Sequence, residues 1–371
     1  MRIVELPTPA VLIDSSRLTR NLSRMQAMAN ARGVRLRPHA KTHKSTAVAA
    51  LQVQRGAVGI CCAKLGEAEV FADAGINDIR LPYPLHPVNA DRVFALAERV
   101  TLSFIVDDPA VAQAWSDLAV ARGRRLEILI KVDVGFHRCG IDPDARSAPG
   151  TVRAIASMPG LVFRGLLSHA GHGYGARSER EVRDVAIREA EILRDLAAAA
   201  QIRCSEISVG ATPTARFSVD EDGITEIRPG NYAYFDRTQV GLGAAAWDDC
   251  ALTVLARVVS RPAPERVILD SGSKTLTNDL ARGFSDMPGY GAILRDVLAA
   301  EPDVSLVVER LSEEHANVRV LEGDTRLATG GLVRIVPNHS CVVSNLVDHV
   351  WLVDGDEVIE QVAVAARGRI T

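Results

Sequence analysis

The segment at residues 35–44, RLRPHAKTHK, surrounds Lys41 with two histidines and two arginines. It follows a short apolar run, Val34 and Leu36, that is typical of a strand near its end. Neighbouring cations and partial burial disfavour the ammonium form of lysine, so an amine in this setting is largely neutral near pH 7 and free to form a Schiff base. The alternative is a basic loop on the surface, and the segment alone leaves both interpretations open.

The overall composition is that of an ordinary globular protein. The chain has 371 residues, 47% hydrophobic and 24% charged, with a formal net charge of −3, which does not favour nucleic acid as a partner. No apolar stretch approaches the ~20 residues of a membrane span, and we see no apolar run of a signal peptide, so we expect a cytoplasmic protein without membrane contact. The six cysteines lack paired spacing, which favours reduced thiols.

Short β-branched runs alternate with segments of helical period up to about residue 235, which is typical of repeated βα units. The predicted strands are at 34–39, 59–63, 78–82, 101–106, 126–132, 161–168, 206–209 and 225–227. Eight such units close into a (β/α)8 TIM barrel. A doubly wound open sheet fits less well, because no glycine-rich dinucleotide turn follows the first strand. We therefore predict an α/β protein with its barrel at residues 11–245.

After Trp247 the sequence pattern changes, and strand-like runs are separated by turns rather than by helical segments. The predicted strands are at 251–260, 266–269, 304–309, 318–321, 332–336, 349–353 and 358–365. Asp354-Gly355 between the last two is a typical hairpin turn. We predict a C-terminal antiparallel β domain at 246–371, to which residues 1–10 are a candidate additional strand.

Barrel enzymes carry their chemistry at the C-terminal ends of the strands, where this sequence places its polar residues. Lys41 follows the first predicted strand, and His169 and His172 follow the sixth. The loops after the seventh and eighth, at 208–214 and 228–234, contain small residues and hydroxyls whose backbone N–H groups can hold a phosphate. A lysine in a barrel mouth opposite a phosphate-binding loop indicates pyridoxal phosphate.

Six stretches together resemble the D-threonine aldolase and D-serine dehydratase family, pyridoxal-phosphate enzymes of the alanine racemase fold type. The stretches are RPHAKTHK (37–44), GFHRCG (135–140), SVGATPT (208–214), EIRPGNY (226–232), LSEEH (311–315) and PNHSC (337–341). They occur in the family's order, and the resemblance covers essentially the whole chain. It implies the alanine racemase type of barrel followed by the β domain.

The resemblance also assigns roles around the cofactor. It implies that Lys41, rather than Lys44, carries pyridoxal phosphate and that Arg138 lies beside the phenolate oxygen of the cofactor. For Arg138 the structural alternative is a salt bridge to a carboxylate such as Asp133. Further cofactor contacts are predicted at His169, Ser208, Gly210, Thr212, Gly230, Asn231 and Tyr232.

His339-Ser340-Cys341 is the candidate metal site. In an extended segment, residues two apart lie on the same side, so an imidazole and a thiolate can ligate one divalent ion. By itself the pair also fits a buried histidine beside a structural cysteine. The resemblance implies a catalytic ion, manganese, zinc or magnesium, with open positions for the substrate.

The resemblance implies a D-amino acid substrate with a β-hydroxyl. In the aldolase reaction a base, His172 or else His169, removes the hydroxyl proton, and D-threonine yields glycine and acetaldehyde. In the dehydratase reaction Lys41 removes the α-proton, and D-serine or 3-hydroxy-D-aspartate yields an oxo acid and ammonia. The stretches at 270–277, 345–348 and 366–369 look closer to aldolases, whereas His-x-Cys is also the dehydratase pattern. We predict a D-threonine aldolase, with the dehydratase as the alternative.

Two other functions fit the sequence less well. A non-catalytic pyridoxal-phosphate carrier of this fold lacks a C-terminal β domain, and an alanine racemase does not need the pair of His339 and Cys341. The resemblance further implies a head-to-tail homodimer in which the partner's β domain closes the active site in trans.

Overall fold

A computed structural model describes residues 1–321 and 327–371 of the chain. Strand β1 (Ala10–Asp14) belongs to a second sheet, and the next eight strands form a parallel sheet of their own. These eight are β2 (Arg35–Leu36), β3 (Ile60–Cys61), β4 (Asp78–Pro84), β5 (Thr101–Val106), β6 (Leu126–Lys131), β7 (Leu161–Leu167), β8 (Glu206–Val209) and β9 (Glu226–Ile227). Each overlaps one of the strands predicted for the barrel.

The parallel sheet closes on itself. Its strand order is β2-β9-β8-β7-β6-β5-β4-β3, and the two end strands meet through a bridge between His39 and Cys61. The Cys61 N–H donates to the Pro38 carbonyl at 2.8 Å, which completes the ring. The predicted (β/α)8 barrel is therefore confirmed.

Helices follow the barrel strands and cover them. The helices of the described chain are α1 (Ser15–Ala31), α2 (Thr46–Gln54), α3 (Leu65–Asp73), α4 (Ala90–Ala97), α5 (Pro109–Ala121), α6 (Ala148–Ala156), α7 (Glu179–Ala200), α8 (Thr212–Ser218), α9 (Arg237–Gly241), α10 (Ser273–Leu276) and α11 (Ser340–Asn345). Local sequence explains their starts: Asp108 caps α5 by accepting the N–H groups of Ala110 and Val111, and Ser178 caps α7. Within the described ranges, no helix is long and apolar enough to cross a membrane.

The second sheet is almost entirely antiparallel, as predicted for the C-terminal half. Its further strands are β10 (Leu252–Ala263), β11 (Arg266–Leu269), β12 (Ala292–Ile293), β13 (Leu306–Leu311), β14 (Ala316–Val320), β15 (Leu332–Val336), β16 (His349–Asp354) and β17 (Glu357–Ala363). Strand β1 lies inside this sheet, antiparallel to β10 and parallel to β16. The N-terminal segment thus contributes Ala10–Asp14 to the β domain before the chain enters the barrel.

The barrel interior contains a buried charged cluster at the level where β8 and β9 begin, which we call the floor network: Arg37, Arg80, Glu206 and Glu226. Glu226 accepts hydrogen bonds from Arg37 Nε at 2.8 Å and from Arg80 Nη1 at 2.5 Å, and Arg80 Nη2 donates to Glu206 at 2.7 Å. All four side chains are buried. Burial opposes ionisation, but Arg80 and Arg37 outweigh it and lower the pKa of Glu226 to about 2.

Candidate active site

A cavity of about 780 Å³ lies at the C-terminal ends of the barrel strands, and both domains line it. Nine of the predicted site residues are on its wall: Lys41, Arg138, His169, Gly210, Thr212, Gly230, Asn231, His339 and Cys341. The β domain of the same chain supplies His339 and Cys341, together with the segment 278–282. The cavity is therefore covered in cis by the chain's own β domain.

Lys41 lies in a 3₁₀ turn, Ala40–Thr42, that begins four residues after the end of β2. His39 begins this turn, and its Nδ1 accepts the Lys41 N–H at 3.4 Å. The Lys41 side chain is surrounded by protein but has free surface toward the cavity. Burial lowers the pKa of Lys41 and the Arg138 cation lowers it further, against the opposing effect of the Cys341 thiol. The structure therefore places an amine with weakened basicity in the cavity.

Arg138 faces the cavity from the loop after β6 and does not pair with Asp133. Asp133 Oδ1 instead accepts the N–H groups of Gly135, Phe136 and His137, each at 3.0 Å. The guanidinium carbon of Arg138 lies 5.2 Å from the centre of the Phe136 ring. The expected alternative, a structural salt bridge, is thus replaced by a loop organised around Asp133 that leaves Arg138 directed at the cavity.

Two turns converge on the opposite side of the cavity. Thr212 and Asn231 each begin a helical segment, so their backbone N–H groups have no intrahelical acceptor. Gly210 has φ of +126°, which side chains disfavour, and a Cβ at Gly230 would lie 2.9 Å from the His39 carbonyl oxygen. The Thr212 hydroxyl is buried and has no hydrogen-bond partner in the described part of the chain. These are the properties of a cradle for an anion such as phosphate.

Three predicted site residues do not line the cavity. Ser208 points into the barrel, where its Oγ donates to Glu226 at 2.5 Å and accepts from Arg228 at 2.6 Å. Tyr232 is buried, and its hydroxyl accepts from Gln52 at 3.0 Å. His172 packs against Gly135, outside the cavity wall. These three side chains point away from the cavity, although neighbouring residues line it. Spacing in the sequence does not determine the direction of a side chain within a strand end or a short turn.

His169, by contrast, lies on the cavity wall after β7. Its Nδ1 lies 3.2 Å from the Gly210 carbonyl oxygen. This oxygen can accept a hydrogen bond from the ring only when Nδ1 carries a proton. Its ring meets that of Phe136 edge to face at 5.7 Å. Burial, followed by the Lys41 and Arg138 cations, holds the pKa of His169 well below its ordinary value. A neutral imidazole therefore borders the cavity, and within residues 1–321 and 327–371 its Nε2 has no hydrogen-bond partner.

His339 and Cys341 come together, although the predicted extended segment is wrong. His339 has extended dihedrals, but Cys341 is already in the first turn of α11 because the buried Asp236 accepts the Ser340 N–H at 2.9 Å. Burial opposes charge on both side chains, yet their mutual attraction raises the pKa of His339 to about 10 and lowers that of Cys341. The thiol also contacts Thr42 Oγ1 at 3.2 Å and accepts from Asn231 Nδ2 at 3.4 Å.

The cavity contains charged residues that the sequence reasoning did not select, among them Lys131, Arg228, Asp236 and Asp279. Arg228 directly follows β9, so the rule that identified Lys41 applies to it as well. Burial, followed by Arg228, lowers the pKa of Lys131 to about 8. Nothing in the sequence marks Asp279, because only the tertiary fold brings it to the barrel mouth.

A closed parallel barrel with a lysine after its first strand, sharing its cavity with an antiparallel β domain, defines the class of fold type III pyridoxal-phosphate enzymes. The sequence profile of the alanine racemase N-terminal domain matches residues 13–238, and that of a serine dehydratase domain matches residues 251–353. The chain belongs to the D-threonine aldolase and D-serine dehydratase family within this class.

Relatives with different activities are about equally similar to the chain. A D-threo-3-hydroxyaspartate dehydratase of Delftia sp. (strain HT23) is 36% identical over 91% of this chain and 92% of its own length. A D-threonine aldolase of Arthrobacter sp. is 35% identical over 99% and 94%. A solved cysteine-to-alanine mutant of D-threo-3-hydroxyaspartate dehydratase, described as in the metal-free form, superposes with a TM-score of 0.91 at 33% identity and covers 98% of both chains.

Proposed function

We propose that this protein is a pyridoxal-phosphate- and divalent-metal-dependent lyase that cleaves D-threonine and related D-β-hydroxy-α-amino acids to glycine and an aldehyde. The proposal rests on one observation: the candidate cofactor-binding lysine and the candidate metal ligands line the same cavity. Thr42, the neighbour of Lys41, has its Oγ1 3.2 Å from the Cys341 thiol. A substrate whose amino group reaches the lysine would therefore share the cavity with His339 and Cys341, which could receive its β-hydroxyl.

The residues present fit pyridoxal phosphate. Lys41 would bind the aldehyde carbon covalently, Arg138 would balance the phenolate charge, and the turns at Gly210–Thr212 and Gly230–Asn231 would hold the phosphate. The unpaired Thr212 hydroxyl supports this arrangement because a phosphate oxygen would give it a partner. When bound, the cofactor supplies an electron sink for the charge that develops at the substrate's Cα.

The donor set of His339 and Cys341 fits a divalent ion, and the thiolate favours zinc over manganese or magnesium. The metal-free description of the relative's cysteine mutant supports this proposal. A bound ion supplies a Lewis acid that lowers the pKa of the β-hydroxyl. Two protein ligands leave coordination positions open for that hydroxyl.

Lys41 and His169 would carry out the proton transfers of the reaction. Lys41 would be released when the substrate's amino group takes its place on the cofactor and, with its lowered pKa, can then accept and return a proton. His169 faces the cavity with a neutral Nε2 and takes the role for which the sequence favoured His172. Arg138 opposes the protonation of both.

This assignment predicts opposite outcomes for two neighbouring histidines. We expect His169→Gln to lower kcat by about 10²-fold, the lower end of the range for a positioned proton-transfer group. His172→Gln, on the same loop but outside the cavity wall, should keep kcat within a few-fold of wild type. Steady-state kinetics with D-threonine measure both, and the reverse order would return the role to His172.

A dehydratase is the second candidate, and the thiol ligand specifically favours it. The closely matching D-threo-3-hydroxyaspartate dehydratase supports the same candidate. In that reaction Lys41 removes the Cα proton and the β-hydroxyl leaves, giving a 2-oxo acid and ammonia. The same cavity residues would support either the aldolase or the dehydratase reaction.

Product analysis of the metal-loaded enzyme decides between them. D-threonine, D-serine and 3-hydroxy-D-aspartate are supplied separately, and glycine plus aldehyde is measured against oxo acid plus ammonia. We expect acetaldehyde from D-threonine and at least a tenfold loss of rate after chelation, restored by Zn²⁺ or Mn²⁺. Ammonia without aldehyde would establish the dehydratase, and full activity after chelation would remove the metal from the proposal.

We also propose that the protein is a homodimer that covers the cavity mouth. Leu280 on the cavity wall is 66% exposed, and Tyr83 and Phe136, which are close in sequence to the cavity residues Pro82 and Arg138, are 40% and 36% exposed. Light scattering of the purified protein should therefore give twice the mass of one chain, 39.9 kDa. A single-chain mass at micromolar concentration would contradict the dimer.

A further inference from the structure

Asp279 contacts the candidate metal ligand His339 from the β domain's segment over the cavity. Its Oδ2 lies 2.6 Å from His339 Nδ1, which is short for a hydrogen bond and typical of one assisted by charge. A carboxylate accepts and does not donate, so the proton of this bond belongs to Nδ1. His339 Nε2 is consequently the nitrogen available to a metal ion.

The contact is fixed by the backbone on both sides. Asn338, which precedes His339 and is 1% exposed, donates from Nδ2 to the Asp279 carbonyl at 3.0 Å and to the Gly289 carbonyl at 2.8 Å. The Asp279 N–H in turn donates to Thr277 Oγ1 at 3.2 Å. One buried amide therefore ties the segment that carries the carboxylate to the segment that carries the imidazole.

Asp279 acts through His339 rather than as a ligand of its own. In residues 1–321 and 327–371, no three His, Cys, Asp or Glu side chains are arranged to hold an ion together. A carboxylate on the remote nitrogen of a metal-binding histidine fixes the tautomer and ring orientation and raises the basicity of the coordinating nitrogen. The geometry of Asp279 and His339 has this form.

We propose that Asp279 is a positioning residue for the metal centre, holding His339 with Nε2 directed toward the open side of Cys341. The inference rests on the proposed metal dependence and adds a residue to it. It predicts that metal affinity depends on the acceptor at position 279 even though that side chain does not bind the ion.

Metal binding itself tests the proposal without any activity measurement. Metal-stripped enzyme loaded with pyridoxal phosphate is titrated with Zn²⁺ in the presence of a competing chelator. We expect Asp279→Ala to weaken Zn²⁺ binding by about 10- to 100-fold. Asp279→Asn, which keeps an acceptor but loses the charge, should recover part of that loss. Asp354→Asn, an exposed aspartate at the hairpin turn between β16 and β17 of the same domain, is the control and should bind like wild type.

The outcomes separate the two proposals. If the wild-type enzyme binds no Zn²⁺, both the proposed metal centre and this inference are overturned. Tight Zn²⁺ binding by wild type and by Asp279→Ala alike overturns the positioning role alone. A loss in Asp279→Ala as large as that in His339→Ala, with no recovery in Asp279→Asn, contradicts it in favour of direct ligation. The melting temperatures of the metal-free proteins should agree, which excludes a general defect in folding.

Discussion

Lys41→Ala is expected to lower kcat/KM by about 10⁴-fold, the upper end of the range for a positioned proton-transfer group, because in the proposed function the same amine would also attach the cofactor. The variant should lose the visible absorption that pyridoxal phosphate acquires when bound to a lysine. Borohydride reduction of the wild type, followed by peptide mass analysis, should place the cofactor on the peptide that contains Lys41.

Two other lysines make this test specific. Lys64 follows β3, where its ammonium lies 4.1 Å from the Tyr83 ring centre and outside the cavity wall, so Lys64→Ala should retain activity. Lys131 is a second cavity amine with a pKa lowered to about 8. Recovery of the reduced cofactor on Lys131 would show that the cofactor-bearing lysine has been wrongly assigned.

The floor network predicts the largest effect on stability. Glu226→Gln leaves the buried guanidinium groups of Arg37 and Arg80 without the charge that both contact, and removing one partner from a buried ion pair costs about 3–5 kcal/mol. The free energy of unfolding from urea titration followed by circular dichroism measures this loss. Asp73→Asn is the matched surface control: its partner Arg99 and Asp73 itself are 48% and 67% exposed, so it should change stability by about 0–1 kcal/mol.

The same carboxylate predicts an acid sensitivity. Glu226 has an ordinary pKa of 4.5 in the unfolded chain and a pKa of about 2 in the folded protein. Its contribution is thus fully present above pH 4.5 and is lost as the pH falls toward 2. The free energy of unfolding should therefore fall more steeply across this range in wild type than in Glu226→Gln. Parallel curves would show that Glu226 is not the group responsible.

Much of the fold was predictable because its signals are local. Strands β2 and β9 are only two residues long, yet the apolar alternation and the glycine and proline residues around them located both. The place of β1 was not predictable in the same way. Its partners β10 and β16 lie more than 230 residues away, and no local pattern specifies such a pairing.

Position alone predicted those cavity residues that come soon after a barrel strand, and the others depended on the family resemblance. Lys41 and His169 were found by that rule, and the cavity contains both. His172 is three residues further, in a short 3₁₀ segment whose Tyr174 lines the cavity, whereas the His172 ring packs against Gly135. The extended form expected around Cys341 failed because Asp236, more than a hundred residues earlier, accepts the Ser340 N–H and starts a helix there.

The seam between the domains runs through the reaction centre. Thr42, beside the lysine, contacts Cys341 through its hydroxyl and Ser344 through its carbonyl, and both partners belong to the β domain. A small rotation of one domain against the other would shift His339 and Cys341 relative to the Lys41 amine. No residue of the site would have to be replaced for this shift. Such a rotation would change which substrate bond is aligned for cleavage. Substitutions at this seam would therefore be a route for exchanging aldol cleavage and dehydration on one scaffold.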